Sequence, residues 1–256
     1  MKKFIGLVII TATLSYPVNV MASQTSNVNK TARISEKFIQ LQVQKNASVG
    51  KAIKAIVSHY PQQAASVVSN ALDLYPNKYK EIIHSAISAQ PTLTEEVVTI
   101  ALSKGISSCT SIVKTAINAD PSYVDFVVTA AANSTPEELN EIVRIAVITE
   151  PDSADYIVQS LAKAHPNKII DILQSAIGAV PFVGEYVVEA LLAAFPSDAE
   201  TVITTAVRES SAQRENVKKI IEAAQNSGVA HEELEVYAIN GGATNEELAQ
   251  VLNSPE

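Results

Sequence analysis

The sequence predicts an all-α fold: an α-solenoid of about five 30-residue antiparallel helical hairpins, built from 15-residue helix units and closed by atypical end caps. Three observations carry this expectation. They are a proline grid, a helical spacing of apolar residues inside each grid unit, and an alternation between neighbouring units.

The grid is the first. Prolines stand at 61, 76, 91, 121, 136, 151, 166, 181 and 196, always in steps of 15, with Ile106 at the one empty place. A fixed period of this kind is the signature of a repeat architecture. Cut on the grid, the chain reads PQQAASVVSNALDLY, PNKYKEIIHSAISAQ, PTLTEEVVTIALSKG and onward to PSDAETVITTAVRES. A weaker unit begins at Asn46 and another at Ser211.

Within each unit, positions 4, 7, 8, 11 and 12 are apolar or small. Steps of 3, 1, 3 and 1 place these residues on one face of an α-helix, and the strict alternation of a strand is absent. Each unit is therefore one amphipathic helix of about 11 or 12 residues followed by a short turn. Position 2 often carries an N-cap residue type: Asn77, Thr92, Ser107, Ser122, Asp152, Asn167 and Ser197. An acid often follows three residues later, and Thr92 with Glu95 has the capping-box pattern. The expectation is a proline just before the cap and a helix opened by the position-2 side chain.

The third observation is alternation. Units at 61, 91, 121, 151 and 181 mostly carry Val-Val or Ile-Val at positions 7 and 8, and those at 76, 106, 136, 166 and 196 carry a hydrophobic pair followed two residues later by a Ser/Thr/Ile-Ala step. The structural repeat is thus a 30-residue hairpin, because turns of three or four residues make sequential helices antiparallel neighbours. No single helix buries its apolar face alone, whereas stacked hairpins bury a continuous core. In general plan the chain resembles tetratricopeptide and HEAT-type solenoids. Tyr75-Pro76-Asn77 and Asp120-Pro121-Ser122 are like the start of a tetratricopeptide helix. The resemblance covers architecture only, since the period is 30 rather than about 34 and the aromatic signature is missing.

The ends depart from the grid, as solenoid caps do. Residues 1–22 read as a signal peptide, 23–45 as a polar segment and cap, 46–225 as the solenoid and 226–256 as C-terminal capping helices. Arg33 to Gln44 is ambiguous between strand and helix. A helix is expected near His231 to Ile239, then a turn at Gly241-Gly242, then a last helix opened by the capping box Thr244-x-x-Glu247.

The signal reading rests on Lys2 and Lys3, an apolar run from Phe4 to Leu14, and Val20-Met21-Ala22 ahead of Ser23. Eleven residues span roughly 16 Å as a helix, short of a hydrocarbon core about 30 Å thick. The alternative is an interfacial amphipathic segment. The expected location is the periplasm or the medium. The chain carries a net charge of −8, or −10 once Lys2 and Lys3 leave with the signal. That balance argues against nucleic acid and anionic membrane surfaces as partners. The single cysteine, Cys109, excludes an internal disulfide and falls at a core position of its unit.

No catalytic constellation stands out, and the chain is expected to be a non-enzyme without cofactor or metal. The histidines, His59, His84, His165 and His231, show no paired metal spacing, and His59 and His165 are expected in exposed turns. No phosphate-binding glycine loop or Gly-x-Ser-x-Gly turn is present. The acids near helix starts, Glu81, Glu95, Glu96, Asp125, Glu141, Asp155, Asp171, Glu185 and Glu200, suit the helix dipole, and no Asp-x-Asp loop favours calcium.

One row stands apart from the packing template. Phe126, Tyr156 and Tyr186 hold position 6 of three successive hairpins, each preceded by an acid: Asp125, Asp155 and Glu185. At about 100° per residue, position 6 points away from the core face. The row is a candidate stripe for a basic or neutral protein or peptide; the other reading is interhelical packing. The expected function is an exported scaffold for protein or peptide interaction. The alternative is a self-associating envelope or matrix protein with an apolar face uncovered at Arg33–Gln44 or after Gly242. An enzyme with an unrecognised site is a third class.

Overall fold

The computed structural model describes residues 34–252, so residues 1–22, expected to be a signal peptide, and the stretch 23–33 lie outside the described residues. The described chain is a helical-repeat solenoid of 15 α-helices. One layer stacks α2 (Val49–His59), α4 (Tyr79–Ala89), α6 (Cys109–Ala119), α8 (Leu139–Thr149), α10 (Ile169–Ala179), α12 (Ala199–Glu209) and α14 (His231–Gly241). The other stacks α3 (Ala64–Leu74), α5 (Thr94–Ser103), α7 (Val124–Ser134), α9 (Ala154–Ala164), α11 (Gly184–Ala194), α13 (Arg214–Asn226) and α15 (Asn245–Leu252). Each helix packs on the next in its own layer and on its sequence neighbours in the other. The ambiguous segment resolves as α1 (Glu36–Asn46), opened by the Ser35 hydroxyl and set against α2 and α3.

The apolar positions fill the space between the layers. In α9, for example, Ala154, Ile157, Val158, Leu161 and Ala162 are all buried. Cys109 is buried among them, its thiol pushed up by burial and set 3.4 Å from the Thr135 hydroxyl. At about 25 cal/mol per Å2, a core of Val, Ile and Ala relies on close helix approach rather than on large rings.

The helix starts differ from the capping expected at position 2. Each grid proline is the first residue of a three-residue 3-10 turn that runs straight into the α-helix. Position 2 lies inside that turn in every proline-led unit, and none of Asn77, Thr92, Ser122, Asp152, Asn167 and Ser197 caps a helix through its side chain; Ser107, in the unit without proline, does not cap either, since Ser108 does. The Thr92 hydroxyl instead accepts from the Gln90 amide at 3.0 Å. The boundary residue is the one before proline, held at φ between −130 and −156° as the proline ring requires. Its backbone serves both helices. Tyr60 N–H donates to the Ile56 carbonyl at 2.8 Å, and the Tyr60 carbonyl accepts from Gln63 N–H at 2.9 Å. Proline at the first turn position gives up only an N–H that would have had no helical partner.

Where proline is missing, a side chain takes over. Gly105 turns at φ +59°, and the Ser108 hydroxyl accepts from Ser111 N–H to open α6 directly. At the far end the expected capping box forms: the Thr244 hydroxyl accepts from Glu247 N–H at 3.3 Å, and the Glu247 carboxylate accepts from Thr244 N–H at 2.8 Å. Gly241 belongs to the end of α14 rather than to the turn, which Gly242 makes at φ +98°.

Candidate functional site

The helix phase that buries positions 4, 7, 8, 11 and 12 turns position 6 outward. Phe126, Tyr156 and Tyr186 are 45, 66 and 55% exposed, so each side chain keeps a large part of its surface in water. Their helices, α7, α9 and α11, are consecutive in one layer.

The three rings do not share one environment. Tyr156 and Tyr186 flank a groove of about 340 Å3 between α9 and α11, together with Asp155, Gln159, Glu189, Ala190 and Ala193. The Gln159 amide donates to the Ala190 carbonyl at 3.3 Å and ties the two helices. The two alanines keep the wall low, which leaves the ring faces open. Phe126 turns instead to Tyr123 in its own unit, with centroids 5.6 Å apart. Asp125 and Phe126 therefore do not join the groove. Glu185 sits beside it, with its carboxylate 3.8 Å from the Lys219 ammonium of α13. The neighbouring Glu185 carboxylate raises the Tyr186 phenol above its ordinary value, and burial and Asp152 act in the same direction.

The remaining groove residues were not singled out from the sequence. Gln159, Glu189, Ala190 and Ala193 occupy positions 9, 10 and 13 of their units, which share a face with position 6. Extending the aromatic row by steps of 3, 1 and 3 would have found them. With two rings, two free-standing acids and an amide, the groove can stack on planar groups and accept hydrogen bonds from a cation.

The other candidates stand as follows. His59 is exposed, but His165 is half-buried, and its Nε2 is buried without a hydrogen-bond partner, so it is not the exposed turn residue expected. The acids named above lie in first helical turns, as the dipole favours. Among the described residues no group of three or more His, Cys, Asp or Glu side chains is placed to hold a metal ion. No described helix is long and apolar enough to cross a membrane. At the ends, Ile34, Ile39, Leu248 and Val251 are buried, and Leu41, Val236 and Ile239 are exposed.

Fold and surface together define a two-layer helical-repeat solenoid with an aromatic, acid-rimmed groove on one layer. No protein-family model, curated protein or solved structure matches this chain.

Proposed function

We propose that this chain is an exported, non-enzymatic scaffold that binds a basic or neutral protein segment through the Tyr156–Tyr186 groove. The observation that carries the reading is the exposure of two rings from successive repeats over one acid-rimmed depression. A large ring left in water has an apolar face to offer, and exposed aromatic patches commonly mark interaction sites. The carboxylates of Asp155 and Glu189 favour a cation above the rings, and an arginine side chain both stacks on tyrosine and pairs with carboxylate. Export draws on the n-region, apolar run and small residues of the first 22 positions. The self-associating reading draws on exposed Leu41, Val236 and Ile239, which are divided between the two ends, whereas the two tyrosine rings share one groove.

The test is affinity capture from native envelope and culture medium, comparing the mature chain with its Tyr156→Ser/Tyr186→Ser variant. A partner captured by the first and lost by the second, at equal helicity, supports the reading. Equal capture by both removes the groove as the site. Sequencing the N-terminus of the exported protein tests the cut ahead of Ser23.

A further inference from the structure

The overall negative charge conceals a reversal along the solenoid. Residues 120–252 hold 21 Asp and Glu against seven Lys and Arg, whereas residues 34–119 hold five against eight. Four of those eight basic side chains gather in the layer opposite the tyrosine groove. Lys51 and Lys54 of α2, Lys80 and His84 of α4 and Lys114 of α6 line a groove of about 600 Å3.

These lysines differ from the helix cations that form ion pairs with a nearby acid. Lys78, Arg144, Lys168 and Lys218 each pair with a carboxylate three residues away. Among the described residues no carboxylate lies within ion-pair distance of Lys51, Lys54, Lys80 or Lys114. Glu81, the one acid lining the groove, is held by Lys78 at 2.8 Å. Four ammonium groups thus line one depression with a single carboxylate, Glu81, among them, and Lys80 lies 5.9 Å from the Tyr79 ring centroid. The floor adds further polarity: the Ser85 hydroxyl sits where a Cβ on Gly50 would approach within 2.8 Å. Glycine at that point lets the first turn of α2 lie against α4, and its absent side chain keeps the groove open.

We propose that this groove is a second docking site, whose ligand is an extended acidic peptide segment. The geometry favours a chain over a compact anion. The ammonium groups come from three stacked helices whose axes are each about 8–10 Å apart, so the charge extends over roughly 20 Å. An extended peptide advances about 3.3 Å per residue and covers that span in about six residues, presenting acids to successive lysines. No arginine lines the groove, so the planar fork that grips phosphate from two sides is missing. The lysines line a depression, which a peptide enters more readily than a bilayer surface does.

The experiment is fluorescence anisotropy with a rhodamine-labelled (Glu-Ser)4 octapeptide and the mature chain at low salt. The octapeptide is expected to bind saturably. Binding should weaken at least about tenfold in Lys54→Glu/Lys114→Glu and several-fold as salt rises from about 50 to about 300 mM. Lys163→Glu on α9 and Tyr156→Ser/Tyr186→Ser should leave it unchanged, which separates this site from the tyrosine groove. The Lys54→Gln/Lys114→Gln variant, which removes charge without reversing it, should lose affinity to a smaller degree and decides the matter if the Glu variant loses helicity. Sodium pyrophosphate and phosphatidylglycerol vesicles serve as comparison ligands. Lack of saturable octapeptide binding, equal affinity in the lysine variants, or binding of pyrophosphate or vesicles in place of the octapeptide would overturn the proposal.

Discussion

Arg214 at the start of α13 and Glu247 in α15 form a two-point ion pair that closes the C-terminal end of the solenoid. Arg214 Nε donates to Glu247 Oε1 at 2.6 Å, and Nη2 donates to Oε2. The same carboxylate accepts from the Thr244 hydroxyl at 2.9 Å. Burial by itself raises the Glu247 pKa, but the Arg214 and Thr244 donors outweigh it and hold the group below the usual carboxylate value. A depressed carboxylate contributes stability that is fully present above its unfolded pKa and is lost as pH falls through the folded one. The protection factors of the α15 amides, which correct for the slower intrinsic exchange in acid, are therefore expected to fall as the solution is acidified through the carboxylate range. Protection that stays constant down to about pH 3, near the lower edge of that range, would count against the pair. Arg214→Met leaves the carboxylate without its ionic partner, and its cost should be about 1.5–3 kcal/mol, toward the low end because the guanidinium is half-exposed.

The proline-led helix starts make a contrast between two hydroxyl residues. Ser108 caps α6, and Thr92 caps nothing. Ser108→Ala should cost about 1 kcal/mol. Thr92→Ala should change stability by less than about 0.5 kcal/mol, as ordinary surface substitutions do. Chemical denaturation of the two variants side by side checks this, and equal losses would restore the position-2 side chain as a cap.

Gly241 marks a close approach between layer neighbours. A Cβ there would lie 2.7 Å from the Val207 Cβ and 2.8 Å from the Thr204 carbonyl oxygen. Backbone cannot step aside as a flexible side chain can, so Gly241→Ala should push α14 off α12 and destabilise by about 1–3 kcal/mol. Thermal melts would show it, with the loss of order confined first to the C-terminal helices, since repeats exchange stability mainly with their neighbours.

The solenoid was legible in the residues because the packing repeats: a proline every 15 residues and the same five apolar positions leave little else to fold. The caps were misread for a local reason. Asn, Ser, Thr or Asp with an acid three residues on, as in Thr92 and Glu95, has the pattern of a capping box. The proline ahead of it, however, already has a helical φ and starts the turn one residue earlier, which moves the boundary to Gln90. The aromatic row was only partly legible. Periodicity turns Phe126, Tyr156 and Tyr186 outward alike, yet Phe126 meets Tyr123 at position 3 of its unit, where the other two units hold Ser153 and Val183. The lysine groove was hidden by summing charge over the whole chain instead of layer by layer, since Lys54, His84 and Lys114 share position 9 of alternate units.

The groove between α9 and α11 is either a surface that binds or a seam that packs, and one titration separates the two. The measurement is calorimetric titration of an (Arg-Ser)4 octapeptide into the mature chain and into Tyr156→Ser/Tyr186→Ser, with the stability of both determined in parallel. If the groove binds, the variant keeps its stability within about 0.5 kcal/mol, and its affinity for the peptide falls at least about tenfold. Unchanged affinity, or a stability loss of about 2–5 kcal/mol such as a deleted core side chain produces, would contradict it.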